Sequence, residues 1–346
     1  MKTKNSKKRK ITKSSLILGK SFIFTLVVVL LMASCSKDDD GEDHSQLDKT
    51  IAVILKTNPS ATQFTKALER SEVLGTLGGT QKYTVFVPND LAFNDYLKKN
   101  SYADVNAIPK EELKKLMLNH MVPTSVLKTS DLAKLDKKYI TSGANLSLFI
   151  GLDNQKVVIN GAAKLDDKNV NINAKNGVVH IVNSVIVLPT VATFLELDKQ
   201  FSSFYKGLTT ATPQTDFITT LKSLKSSNST LAPFSIFAPN EAAITSYLKT
   251  NSSWKKVEDI PENILTPVLK HHIVTLKMIS KKDLEGSLDT AKTWEGADLK
   301  FTKTNNKITI KDGAGNENHN IAQFDIKTQN GIIHVVESIL QPIASK

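Results

Sequence analysis

Two stretches, NGVVHIVNSVIVLP from Asn176 to Pro189 and NGIIHVVESILQP from Asn330 to Pro342, repeat one pattern, and a chain that carries such a unit twice is constrained to fold as two like bodies. In each, Asn-Gly (Asn176-Gly177, Asn330-Gly331) is expected to supply the positive backbone angles of a tight turn. The β-branched run that follows, Val178 to Val182 or Ile332 to Val336, has strand propensity, and with both faces apolar the strand is expected to be interior. Alternation places His180 beside Val178 and Val182, and His334 beside Ile332 and Val336.

The repeat runs through the chain at a nearly constant offset. Phe86-Val87-Pro88-Asn89 returns as Phe237-Ala238-Pro239-Asn240, Ile108-Pro109 as Ile260-Pro261, His120 as His272, and Asp131-Leu132 as Asp283-Leu284, with offsets of 151 to 152 that reach 154 at the Asn-Gly turns. Within one copy the periodicity changes. Phe64, Ala67, Leu68 and Leu74 suggest a helix, with Phe217 and Leu221 as counterparts; Tyr83 to Val87 reads as a strand stopped by Pro88, and Asp90 to Leu97 as a helix. Leu113, Leu116, Met117 and His120 share one face of a helix expected over Lys110 to Met121, and Leu265, Val268, Leu269 and His272 repeat that face. Later the period drops to two, at Leu146, Leu148 and Ile150. Helices first and antiparallel strands later give an α+β class.

The chain has 45 Lys and Arg against 34 Asp and Glu, a formal charge of +11, which invites a nucleic-acid reading. Eight of those cations lie at positions 2 to 20, and without residues 1–34 the balance is 37 against 34. No nucleic-acid partner is therefore expected. The basic head, the uncharged apolar run from Ser21 to Ser34 and the small residues Ala33 and Ser34 have the layout of a secretory signal. The 16 uncharged residues between Lys20 and Lys37 fall short of the ~20 that a spanning helix needs.

Cys35 is the only cysteine, so an intrachain disulfide, a cysteine metal cluster and a cysteine redox pair are excluded. Leu31-Met32-Ala33-Ser34-Cys35 resembles a bacterial lipobox, which implies acylation of Cys35 and anchorage to a membrane; an ordinary cleaved signal is the alternative. Ser36 to Asp43 is acidic and without apolar residues, as expected of a tether. It also resembles the export signal of Bacteroidetes-type lipoproteins, which implies the outer membrane with the domains facing outward, the periplasmic face being the alternative. The expected division is a signal over 1–34, a tether over 35–46, and domains over 47–190 and 191–346.

The motifs resemble those of the fasciclin-like (FAS1) domain, in two tandem copies. Its first signature is similar to Thr84-Val85-Phe86-Val87-Pro88-Asn89-Asp90-Leu91-Ala92-Phe93 and to Ser235-Ile236-Phe237-Ala238-Pro239-Asn240-Glu241-Ala242-Ala243-Ile244. Its second is similar to the two repeated stretches, with Asn183 and Glu337 in place of an Asp. The resemblance implies two β-sandwich or wedge domains with helices packed at one side, and a role in adhesion. The tyrosine-histidine pair tied to integrin adhesion in animal members is Asn119-His120 and His271-His272 here, so integrin binding is not carried over.

For His120, His180, His272 and His334 the expected role is structural: neutral rings, buried and hydrogen-bonded in apolar surroundings. His44 and His319 lie in polar segments expected to be mobile. There is no His-Glu-x-x-His, Gly-x-Ser-x-Gly or phosphate-binding glycine loop, and no metal or cofactor is expected. Trp254 and Trp294 are the candidates for an aromatic ligand platform, with core or rim packing as the other reading. The expected function is adhesion to matrix, polysaccharide or a cell-surface protein. The alternatives are a glycan-binding accessory of a nutrient-uptake system and an envelope hydrolase with an unrecognised carboxylate site.

Overall fold

The computed structural model describes residues 48–210, 212, 214–224, 231–305 and 307–343. The signal, Cys35, His44 and the acidic tether lie outside the described residues. The first copy runs through helices α1 (Ile51–Thr57), α2 (Thr62–Arg70), α3 (Asp90–Lys99), α4 (Lys110–Asn119) and α5 (Thr129–Ala133). Its strands are β1 (Tyr83–Pro88), β2 (Met121–Pro123), β3 (Lys138–Thr141), β4 (Ser147–Asp153), β5 (Lys156–Ile159), β6 (Ala163–Lys164), β7 (Ile172–Ala174) and β8 (Gly177–Val182). The second copy has helices α6 (Val191–Leu197), α7 (Ser202–Thr210), α8 (Phe217–Lys222), α9 (Glu241–Leu248), α10 (Glu262–His271) and α11 (Lys281–Glu285). Its strands are β9 (Phe234–Pro239), β10 (Ile273–Thr275), β11 (Thr290–Lys292), β12 (Asp298–Thr304), β13 (Lys307–Lys311), β14 (His319–Thr328) and β15 (Gly331–Val336).

The repeated strand is the middle layer of each copy. Every residue of β8 and β15 is buried, because alternate side chains enter two different cores. Val179 and Ile181, with Val85 and Val87 of β1, face the helices, whereas Val182 and Phe86 face the second sheet with Leu148, Ile150, Val157 and Ile159. Copy two repeats this: Ile333, Val335, Ile236 and Ala238 face helices, and Val336 and Phe237 face Leu299, Phe301, Ile308 and Ile310. A sheet with helices on one side and strands on the other is the α+β wedge expected.

Several local expectations are corrected. The later strands pair antiparallel as expected, β7 with β8 and β14 with β15 among them, but on its other edge the closing strand lies parallel to the early one, β8 to β1 and β15 to β9, since the helices and strands between them make a crossover long enough to return the chain in the same direction. The helix expected to reach Met121 ends at Asn119, with His120 as its cap and Met121 already in β2. Leu74 is not on α2 but on a separate 3-10 turn, Leu74–Gly78. His319 is buried at the head of β14, where β14 pairs with β13 and fuses copy two into one seven-stranded sheet; copy one keeps two four-stranded sheets.

Candidate functional site

Of the two Asn-Gly pairs only Gly177 has the positive φ expected, at +148°; Asn176 and Asn330 have ordinary backbone angles and act through their side chains. Asn176 is buried; its Oδ1 accepts from Ile51 N at 2.8 Å, capping α1 from 125 residues away, and its Nδ2 donates to Leu77 O and Gly79 O. Asn330 repeats each bond, accepting from Val191 N at the start of α6 and donating to Leu221 O and Ser223 O. The glycines permit close backbone approach: a Cβ on Gly177 would stand 1.9 Å from Tyr83 O, and one on Gly331 2.5 Å from Phe234 O. Pro88 and Pro239 end β1 and β9, and the next residues, Asn89 and Asn240, cap α3 and α9 with side chains that accept from Ala92 N and Ala243 N.

The four motif histidines are bonded at both ring nitrogens to backbone. His120 Nδ1 donates to Leu116 O and Nε2 accepts from Ile186 N; His272 Nδ1 donates to Phe237 O and Nε2 accepts from Leu340 N. Burial pushes these rings down to about 4 and about 3. His180 donates from Nε2 to Leu127 O and accepts at Nδ1 from Asn171 N; His334 does the same with Ile279 O and Asp325 N. Burial lowers both of these as well. A neutral imidazole with its one donor and one acceptor both engaged has no lone pair to offer a metal or a substrate.

A second cluster was not legible as one. His319 bonds Ser338 Oγ at 2.5 Å through Nδ1 and Asp312 Oδ2 at 3.2 Å through Nε2, an order of groups that in an open cleft would suggest a nucleophile. Here the Asp312 carboxylate also accepts from Asn316 N, Asn316 Nδ2 and Gln341 N. Burial disfavours its charge, but these bonds and the one from His319 outweigh it and hold the group at about 2. The cluster ties the closing chain to the turn after β13, and His271 joins the same region by accepting from Gly313 N. Among the described residues no group of three or more His, Cys, Asp or Glu is arranged to hold a metal ion.

Several surface clefts of about 320 to 480 Å³ have room for a ligand, and the one that involves both copies lies at the seam between them. On the outer face of β3 to β5, Tyr139 and Phe149 are paired across strands, and they pack against Phe194 of α6: Tyr139 lies 5.0 Å from the Phe149 ring and 5.2 Å, edge-on, from Phe194. Phe149 thereby belongs to the helix-side core of copy two. Tyr139 Oη donates to Asp198 Oδ2 at 2.8 Å, Lys327 N donates to Ser147 Oγ at 2.9 Å, and Gln329 reaches Leu188 O and Pro189 O. Gly161, at φ +68°, lets Leu197 close in; a Cβ there would be 2.4 Å from Leu197 Cδ1.

Beside this contact opens a cleft of about 320 Å³. Phe149, Leu152, Val158 and Leu197 form its apolar lining, and Asp136, Lys137, Asp153, Lys164 and Lys199 its polar one. Lys164 is paired with Asp153 at 2.6 Å; Lys137 and Lys199 have no side-chain partner among the described residues. Trp254 and Trp294 are elsewhere. Both are half-buried against the helix-side core of copy two, Trp254 on Tyr247 at 5.6 Å and Trp294 edge-on to Phe217 at 5.2 Å.

The sequence signal that could have located the seam is a difference between the copies. Aligning β4 and β5 with β12 and β13 by their inward residues puts Lys300 where copy one has Phe149, Thr309 where it has Val158, and Thr290 where it has Tyr139. One sheet face is apolar and covered in copy one, polar and open in copy two.

A family model described as the fasciclin domain matches residues 59–189 and again 199–342. The chain is 24% identical to mouse stabilin-2 over 300 residues, 24% to human periostin over 302, and 26% to fasciclin-1 of Schistocerca americana over 296. These alignments cover 81%, 83% and 75% of this chain but only 10%, 31% and 40% of the relatives, so the chain spans less than half the length of each. A solved FAS1 domain pair from the insect cell adhesion molecule fasciclin I has the same fold, with a TM-score of 0.51 at 19% identity over 80% of this chain and 95% of that one. These matches indicate no catalytic family.

Proposed function

The chain belongs to the fasciclin domain family, in two tandem copies, and from that premise we propose that it works by binding, as a lipid-anchored adhesion protein of a bacterial cell envelope. The observation that carries this reading is the seam: two copies share a core through Phe149 and present one cleft between them, a place where ligand sites often form. The motif histidines, engaged at both nitrogens, serve the fold rather than a reaction. Cys35 and the acidic run after it supply the anchor and the outward address, with matrix, polysaccharide or a surface protein as the ligand.

A glycan-binding accessory of an uptake system is the second reading, favoured by the cleft's mixture of apolar and carboxylate groups. The test is protease added to intact cells, with fatty-acid labelling alongside. Degradation of the protein while a periplasmic control survives, with Cys35→Ala losing label and membrane association, supports the surface adhesin. Protection until lysis would turn the role inward, and a Cys35→Ala protein that still partitions into detergent would remove the lipid anchor.

A further inference from the structure

We infer that the seam cleft binds an acidic sugar, a uronate unit within a polysaccharide; this rests on the binding role proposed above and names its ligand class. The lining carries three kinds of group at once. Leu152, 40% exposed although it belongs to a strand, and the half-buried Leu197 offer an apolar surface of the sort that packs on the C–H face of a pyranose, with Phe149 and Val158 buried behind it. Asp136 is an acceptor for sugar hydroxyls, and Asp153, held by Lys164 at 2.6 Å, is a second. Lys137, from copy one, and Lys199, from copy two, are ammonium groups without a partner among the described residues, and a carboxylate is the ligand group that would satisfy them.

Two glycines shape the wall of the cleft, Gly161 by admitting Leu197 to it. Gly151 and Gly161 line it without side chains, and the aligned positions of copy two hold Thr302 and Asp312. The cleft lies where copy one's sheet meets the first helix of copy two, and copy two's aligned positions carry side chains in place of its two glycines. At about 320 Å³ it is at the small end of ligand clefts, which run from roughly 300 to 1,000 Å³, and it suits a short stretch of a polymer lying across it.

The test is calorimetric titration of the full chain with oligogalacturonides and with neutral galacto-oligosaccharides of the same length. The acidic series should bind more tightly, and Lys137→Ala/Lys199→Ala should weaken it by about tenfold or more while melting with the wild type. Leu152→Asp should weaken it as well, through the apolar lining. The control is Lys300→Ala/Lys307→Ala, on the open sheet face of copy two, which should bind as wild type. Equal affinity for the neutral series, an unaffected Lys137/Lys199 variant, or an equal loss in the control would each overturn the assignment. If the oligogalacturonides fail to bind while a matrix protein is still retained, the inference falls and the adhesion reading stands; if the anchor and surface tests fail instead, that reading falls by itself.

Discussion

The hydroxyl of Tyr139 donates to the carboxylate of Asp198 at 2.8 Å, so a residue of copy one's sheet holds the C-terminal end of copy two's first helix. Burial, reinforced by the Asp198 charge, pushes the Tyr139 phenol well above its ordinary range, which keeps it a donor. Asp198 is itself buried and takes its other bonds from Gln200 N and Gln200 Nε2. Together with the Phe149 and Phe194 rings, this bond makes the seam a built contact.

Phe149→Lys gives copy one the residue that copy two carries at the aligned position, Lys300. It should cost about 3 kcal/mol or more, because a buried ring is lost and an unpaired charge enters the core of copy two. Lys300→Ala, on the open face, should change stability by no more than about 0.5 kcal/mol. Urea unfolding of the two variants checks this, and equal effects would mean that the seam contributes little.

Gly161→Ala places a methyl where Leu197 stands, at a backbone angle that L residues adopt only with strain. A loss of about 1–3 kcal/mol is expected. Adding Leu197→Ala should recover the steric part and leave the backbone part. A double variant no more stable than Gly161→Ala would place the whole cost in the backbone.

Asn176→Ala orphans Ile51 N and the Leu77 carbonyl, both buried, and loses the part-buried bond to Gly79 O, with an expected cost of about 2–4 kcal/mol. Asn176→Asp keeps the acceptor but turns a charged oxygen toward Leu77 O and Gly79 O, and should be no better than the alanine. If the aspartate variant were as stable as wild type, the donor half of the arrangement would carry no weight.

Acid should destabilise the protein well above the carboxylate range. His120 and His272 have folded values of about 4 and about 3, below the ordinary 6.5, so the unfolded chain takes up protons first. The stability linked to these rings is complete above pH 6.5 and is lost as the pH falls toward the folded values, by about 1.4 kcal/mol per pH unit for each ring. Between pH 7.5 and 5 the loss should reach about 2 kcal/mol per ring, and His272→Gln should flatten the slope. Unfolding energies that stay level across that interval would mean the rings are not held neutral.

The repeat, the interior strand with its histidine and the helix faces were legible because periodicity reports burial directly. The antiparallel pairing of the later strands was legible too, but the parallel pairing of β8 with β1 was not: the β-branched run reads the same in either direction, and only the long crossover decides it. His319 sits in a polar stretch, and its burial comes from Asp312, seven residues away, and from Ser338 on the closing segment. The seam was missed for a related reason. Tyr139, Phe149 and Leu197 look like ordinary strand and helix residues until the copies are aligned on their inward faces and the outer face is seen to change from aromatic to lysine and threonine.

The most direct measurement presents the intact, membrane-anchored protein with an array of matrix proteins and polysaccharides and records both the protein retained and the chemical state of each ligand afterwards. Saturable retention on one ligand class, lost in Phe149→Lys and with the ligand recovered unaltered, is the expected result. A ligand recovered cleaved would make the chain an enzyme and contradict the binding role. Retention that persists with the seam disrupted would place recognition on a single copy and contradict the claim that the pair acts as one body.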